Sequence, residues 1–165
     1  MIKQLMILLH GYGTNKNNLA SMAYEFASTL PNCHFISLNA PFIYELATIK
    51  GQKDTYQWFS ATKPRSLTLK EAEKSSNIFG DFIDFHLKRL NLSDKDLILT
   101  GFSQGAMMSI YHAIRRPDPI GAIIAIAAKR LKKSSRGPNT IDGRRITADA
   151  KALCNPASPA ALLFA

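Results

Sequence analysis

Residues 96–117, DLILTGFSQGAMMSIYHAIRRP, run from an apolar stretch through a glycine turn into helical spacing. DLILTG predicts a buried strand over 96–101, and Met107, Ile110, Tyr111 and Ile114 predict the inner face of a helix that Pro117 ends. Ser103 stands at the corner, in a Gly-x-Ser-x-Gly frame. Such a turn is strained and presents a serine oxygen above the edge of a sheet. Gly101 and Gly105 let the turn close without side-chain clash, and the positive end of the helix favours developing negative charge. Ser103 is therefore the candidate nucleophile, and the alternative is a serine-glycine helix start without chemistry.

Upstream, QLMILL at 4–9 is a continuous apolar run closed by His10-Gly11-Tyr12-Gly13, the pattern of a strand buried on both faces followed by a glycine loop. Leu19, Met22, Ala23, Phe26 and Leu30 then recur at helical spacing, with Asn17 or Asn18 as the expected N-cap and Pro31 as the stop. CHFISL at 33–38 predicts a second strand, and a polar, irregular stretch after it predicts a long loop carrying Trp58 and Phe59. Thr68-Leu69-Lys70-Glu71 has the form of a capping box, followed by a wide apolar stripe of Ile78, Phe79, Phe82, Ile83, Phe85, Leu87 and Leu90. IGAIIAIA at 120–127 supplies a fourth strand. Strands alternating with helices at this rhythm predict an α/β fold, a mostly parallel sheet with helices on both faces.

In such sheets ligands bind beyond the carboxyl ends of strands, so the loop at 10–13 and the turn at 101–105 are expected to meet at one crevice. An oxyanion hole needs two backbone N–H donors, and Tyr12 in the loop and Gln104 after the serine supply them. Gly11 and Gly13 would let the loop approach a substrate. Taken alone, the loop also reads as an ordinary glycine turn between strand and helix.

LLHGYG, LNAP, QWF and GFSQGAMMSIYHAI, in this order and spacing over about residues 3–128, resemble the phospholipase/carboxylesterase branch of the α/β-hydrolases, which includes the acyl-protein thioesterases. The resemblance implies an α/β-hydrolase fold and a Ser-Asp-His triad acting on small carboxylic esters or thioesters, with Ser103 as nucleophile and no cofactor. It also implies that Trp58 borders an acyl pocket, where the residue pattern alone allows a plain core aromatic.

In that family the acid and then the base follow the nucleophile. Here the histidines are His10, His34, His86 and His112. His112 lies nine residues along the same predicted helix, roughly 13 Å from Ser103 at 1.5 Å per residue, beyond the approximately 3 Å a general base needs. His86 falls on the flanking helix and His34 at the far end of a strand. His10 is expected to hold the glycine loop by hydrogen bonding. Asp142 and Asp149 follow no convincing strand. No triad Asp or His is assigned. Loss of a triad base costs about 10⁶ in kcat, while oxyanion hole and binding retain roughly 10³ to 10⁴ over water. Residual activity fits those magnitudes and efficient turnover does not.

The net charge of +9 is unevenly spread over the 165 residues. Residues 1–128 hold 13 Lys and Arg against 10 Asp and Glu, whereas residues 129–165 hold 8 against 2. Periodicity also ends near Ala128. The expectation is a partial hydrolase domain over 1–128, shortened or frame-shifted there, and an unrelated, poorly ordered basic tail over 129–165. The alternative function is a non-catalytic α/β protein whose tail binds nucleic acid or an anionic membrane, but interleaved aromatics and a nucleic-acid module are missing. A separate chain could also supply the missing strands and histidine. Without its outer neighbour the fourth strand is expected to have an open apolar edge prone to self-association. Cys33 and Cys154 lack metal-like spacing, no apolar run reaches membrane-spanning length, and the N-terminus lacks a signal cleavage site, so a cytoplasmic protein without metal is expected.

Overall fold

The computed structural model describes residues 1–126 in full and, beyond them, the backbone of strands at 140–141, 144–145 and 161–164. The chain begins β1 (Gln4–Leu9), α1 (Asn17–Thr29), β2 (Cys33–Leu38), β3 (Phe42–Ile43) and β4 (Tyr56–Gln57). It continues through the long helix α2 (Arg65–Leu90), a short 3₁₀ turn (Asp94–Asp96), β5 (Leu97–Phe102), α3 (Gln104–Ala113) and β6 (Ala122–Ile126). Beyond these come β7 (Thr140–Ile141), β8 (Arg144–Arg145) and β9 (Ala161–Phe164). Among the described residues the main sheet runs β2-β1-β5-β6-β9, with every neighbouring pair parallel.

Alternation along the strands divides the core in two. Leu5, Ile7 and Leu9 of β1, with Leu97 and Leu99 of β5, face Phe79, Ile83 and Leu87 of α2 and Met108 of α3. Met6, Leu8, Ile98 and Ile124 point the other way and pack with Leu19, Met22 and Phe26 of α1. Helices thus cover both faces of a parallel sheet, as the alternation of strands and helices predicts.

Several local expectations are corrected. Helix α1 is not capped by Asn17 or Asn18; Asn15 Oδ1 accepts the Asn17 N–H at 3.0 Å and Asn39 Oδ1 accepts the Lys16 N–H at 2.8 Å. Helix α2 begins at Arg65, ahead of the capping-box pattern, because Thr68 and Glu71 bond outward instead: Thr68 Oγ1 to the Ser60 carbonyl and Glu71 to the Ser60 N–H. Only three of the seven residues of the α2 stripe, Phe79, Ile83 and Leu87, are buried. Ala72, Phe79, Ile83 and Leu87 face the sheet, whereas Ile78 is 48% and Phe85 62% exposed, since one sheet face covers only one stripe of a helix.

Helix α3 stops at Ala113, short of Pro117, and its buried face is Ala106, Met108, Ser109 and His112 rather than Met107, Ile110, Tyr111 and Ile114. The cause is close approach at the helix start: a Cβ on Gly105 would lie 2.0 Å from the Leu9 carbonyl oxygen. The small side chains of Ala106 and Ser109 share that face with Met108 and His112, and Met107 and Tyr111 pack at its margin. The predicted long loop carries a two-stranded antiparallel pair, β3 with β4. The edge of β6, expected to be open, is paired with β9. Cys33 is buried and unpaired, and its thiol is pushed up to about 11 by desolvation. Cys154, Asp142 and Asp149 lie outside the described residues. Among the described residues no helix is long and apolar enough to cross a membrane, and no cluster of three metal-ligating side chains occurs.

Candidate active site

Strands β1 and β5 are parallel neighbours with Leu9 opposite Gly101, so the loop after β1 and the turn after β5 leave the sheet side by side. Their backbones touch. A Cβ on Gly105 would meet Leu9 and also the His10 carbonyl oxygen at 2.6 Å, and a Cβ on Gly11 would stand 3.1 Å from the Phe102 ring. Gly101 is equally enclosed, with the Gly105 carbonyl carbon 2.3 Å from its missing Cβ. Neither Gly101 nor Gly105 has room for a side chain.

Ser103 sits between them at φ 49° and ψ −107°, a backbone conformation that costs a non-glycine residue about 1 to 3 kcal/mol. Two bonds hold it there: its N–H donates to the Ile126 carbonyl at 2.8 Å, and its carbonyl accepts the Met107 N–H at 3.1 Å. The residue is partly exposed and lies at the N-terminus of α3, where the helix dipole favours negative charge.

His10 is fully buried, and both ring nitrogens are engaged. Nε2 accepts the Ala40 N–H at 3.0 Å, so Nδ1 carries the proton and donates to the Gly11 carbonyl at 2.7 Å. Burial lowers its pKa, partly offset by the bond to Gly11. A neutral imidazole of this tautomer fixes the glycine loop. It has no free nitrogen for Ser103. Gly13 adopts φ 71°, a region that favours glycine, and its N–H donates to the Tyr56 carbonyl at 3.0 Å.

The remaining histidines are placed elsewhere. His34 is exposed on β2, and His86 packs on Phe82 and Phe85 along α2. His112 is buried on α3, hydrogen-bonded through Nδ1 to Ser76 at 2.9 Å. Desolvation, aided by Arg116, lowers its pKa to about 4. None of the four is hydrogen-bonded to Ser103.

Trp58 is 1% exposed and belongs to the core, its ring against Phe79 and His10 and its Nε1–H donating to the His10 carbonyl at 2.9 Å. What surrounds it carries no local sequence signal. The buried side-chain amide of Gln104 accepts the Trp58 N–H at 2.8 Å and donates to the Phe59 carbonyl at 2.7 Å, and Ser75 Oγ donates to the Trp58 carbonyl. Glu45 accepts the Tyr12 hydroxyl, the Ser60 hydroxyl at 2.5 Å and the Ala61 N–H at 3.0 Å. Burial opposes the charge on Glu45, but the donors from Ser60, Tyr12, Ala61 and Thr62 outweigh it and hold the carboxyl at about 2. The Tyr12 phenol is pushed up, by burial and then by Glu45. One sequence signal marks Glu45: it is the only acidic residue between Glu25 and Asp54.

Residues 2–140 match the profile of the phospholipase/carboxylesterase family. The chain belongs to that family. Its α/β-hydrolase architecture recurs in the crystal structure of esterase PE8, with a TM-score of 0.67 and 34% identity over 77% of this chain and 58% of that one. A carboxylesterase from Mesorhizobium loti shares the fold at a TM-score of 0.62 and 20% identity, covering 78% of this chain and 56% of its own. An uncharacterised hydrolase of Mycosarcoma maydis, UM10204, is 24% identical over 128 residues, which are 74% of this chain and 47% of that protein. The chain thus spans about half the length of these relatives.

Proposed function

We propose that this family member is a serine hydrolase of carboxylic esters or thioesters, with Ser103 as nucleophile and the backbone N–H groups of Tyr12 and Gln104 as its oxyanion hole. The observation that carries this reading is the positive φ of Ser103 between two glycines whose Cβ positions are filled by backbone. A strained conformation maintained by such close packing is a reason to look for function at that residue. The family relationship supplies the reaction class.

In the first step Ser103 Oγ bonds to the substrate carbonyl carbon, the carbonyl π electrons move to oxygen, and the hydroxyl proton leaves to a base. Collapse of the tetrahedral oxyanion expels the alkoxide or thiolate, which takes up a proton. Water then repeats the attack on the acyl-serine and frees the acid. Two preorganised N–H donors at the oxyanion contribute about 10² or more each. Among the described residues none of the four histidines is hydrogen-bonded to Ser103, so in this reading solvent receives the proton and the rate is held near 10³ to 10⁴ over water.

Hydrolysis of p-nitrophenyl butyrate by the full chain, with and without added imidazole, tests the reading against Ser103→Ala. The expected result is a Ser103-dependent rate that rises with imidazole, because the small base enters where none of the four histidines is hydrogen-bonded to Ser103. Equal rates in the two proteins at every imidazole concentration would overturn it.

A further inference from the structure

The two donors of the proposed oxyanion hole come from separate elements, the loop after β1 and the start of α3, yet side chains tie both to one segment, Gln57–Ala61. Gln104 is fastened to it by two bonds, Oε1 from the Trp58 N–H and Nε2 to the Phe59 carbonyl. Tyr12 is fastened to it through Glu45, whose Oε1 accepts both the Tyr12 hydroxyl and the Ala61 N–H while Oε2 accepts the Ser60 hydroxyl. The N–H of Glu45 itself donates to Gln57 Oε1 at 2.9 Å. Tyr12 is further held edge-on against Tyr44, with ring centroids 4.8 Å apart. The segment is in turn fixed to α2, since Glu71 accepts the Ser60 N–H at 2.7 Å and Ser75 donates to the Trp58 carbonyl.

We propose, resting on the reading of Ser103 given above, that Glu45 is a positioning residue of the oxyanion hole: by gripping the Tyr12 hydroxyl and residues 60–61 together, it sets the place of the Tyr12 amide relative to that of Gln104. A carboxylate suits the task because its two acceptor oxygens take Tyr12, Ser60 and Ala61 at once, and charge-assisted bonds are about twice as strong as neutral ones. Its low pKa keeps that acceptor set intact at neutral pH. The charge meets the tip of the tyrosine, a full side chain away from the amide, so it steadies the loop without sitting at the oxyanion.

The test uses the full chain in imidazole, with kcat and KM for p-nitrophenyl butyrate measured for Glu45→Gln, Tyr12→Phe, the double variant and Ser103→Ala. Glutamine keeps one acceptor oxygen and phenylalanine removes only the hydroxyl, leaving the Tyr12 amide in place. Each single variant is expected to lower kcat about tenfold with KM within about twofold, since misplacing a donor weakens the transition state more than the ground state. The double variant should fall no further than the weaker single, because both changes cut one link. Thermal midpoints recorded alongside fix an assay temperature at which all variants are folded. Unchanged kcat in Glu45→Gln, or additive losses in the double, would overturn the proposal while a Ser103-dependent rate left the nucleophile standing. If Ser103→Ala matches the parent chain, the nucleophile and this role for Glu45 fall together.

Discussion

Ser76 and Ser103 carry the same hydroxyl in opposite settings. Ser76 lies mid-way along α2, 4% exposed, hydrogen-bonded to His112 at 2.9 Å. Ser103 is at a strand-helix corner, partly exposed, at positive φ, with none of the four histidines on it. The serine that has a histidine is enclosed by packing, and that histidine, held at about 4, is a poor proton acceptor. Ser103 is partly exposed and has the strained backbone on which its proposed role as nucleophile rests. Under that proposal backbone geometry and access, more than a hydrogen-bond partner, mark the reactive residue. A Ser-His contact alone would select Ser76.

The largest effect expected from breaking this contrast is at Gly105. Gly105→Ala places a methyl 2.0 Å from the Leu9 oxygen, so either α3 lifts off β1 or the chain fails to fold. A loss of about 3 kcal/mol or more is expected in urea unfolding, together with loss of the Ser103-dependent rate. Ordinary stability with ordinary activity would show that the tight corner is not what holds Ser103 in place.

An effect of similar size is predicted at the other serine, on acidification. His112 faces Ser76, Arg116, Asp84 and Asp94, and its pKa falls from 6.5 to about 4 on folding. Between those values the unfolded chain binds a proton that the folded chain does not. Stability therefore falls as pH drops from about 6.5 to 4, by about 3 kcal/mol for this group, and levels off below. Burial of His10 acts in the same direction. His112→Gln should flatten the slope between pH 7 and 4 measured by urea unfolding, and an unchanged slope would remove His112 as its source.

The sequence displays this contrast only in part. The alternation of QLMILL, CHFISL and LILTG with helical spacing makes the parallel sheet legible, and the glycines of HGYG and GFSQG mark the two loops that meet. Those signals are local: a period, or a missing side chain. The bracing of the site is not local. Gln104 bonds to backbone groups 45 and 46 residues away, and Glu45 joins residues 12, 60 and 61. Which backbone groups need a partner is decided by the folded path of the 57–61 segment, and no period records it. The Thr68–Glu71 pattern shows the converse, a local cap motif taken over by tertiary bonds to Ser60. The pairing of Ala161–Phe164 with β6 is long-range in the same way.

The finest test exchanges each serine for glycine. Ser103→Gly removes the hydroxyl but relieves the positive φ, a strain of about 1 to 3 kcal/mol, against which the added freedom of the unfolded chain counts about 0.5 to 1 kcal/mol. A gain of about 1 kcal/mol in stability is expected, with the Ser103-dependent rate gone. Ser76→Gly brings no such relief: glycine inside a helix costs about 1 kcal/mol, and the His112 ring loses its hydroxyl partner. Opposite signs in urea unfolding would show that the fold bears a cost at Ser103 that it does not bear at Ser76. If both variants lose stability equally, the corner is not strained, and the backbone argument for Ser103 loses its physical basis.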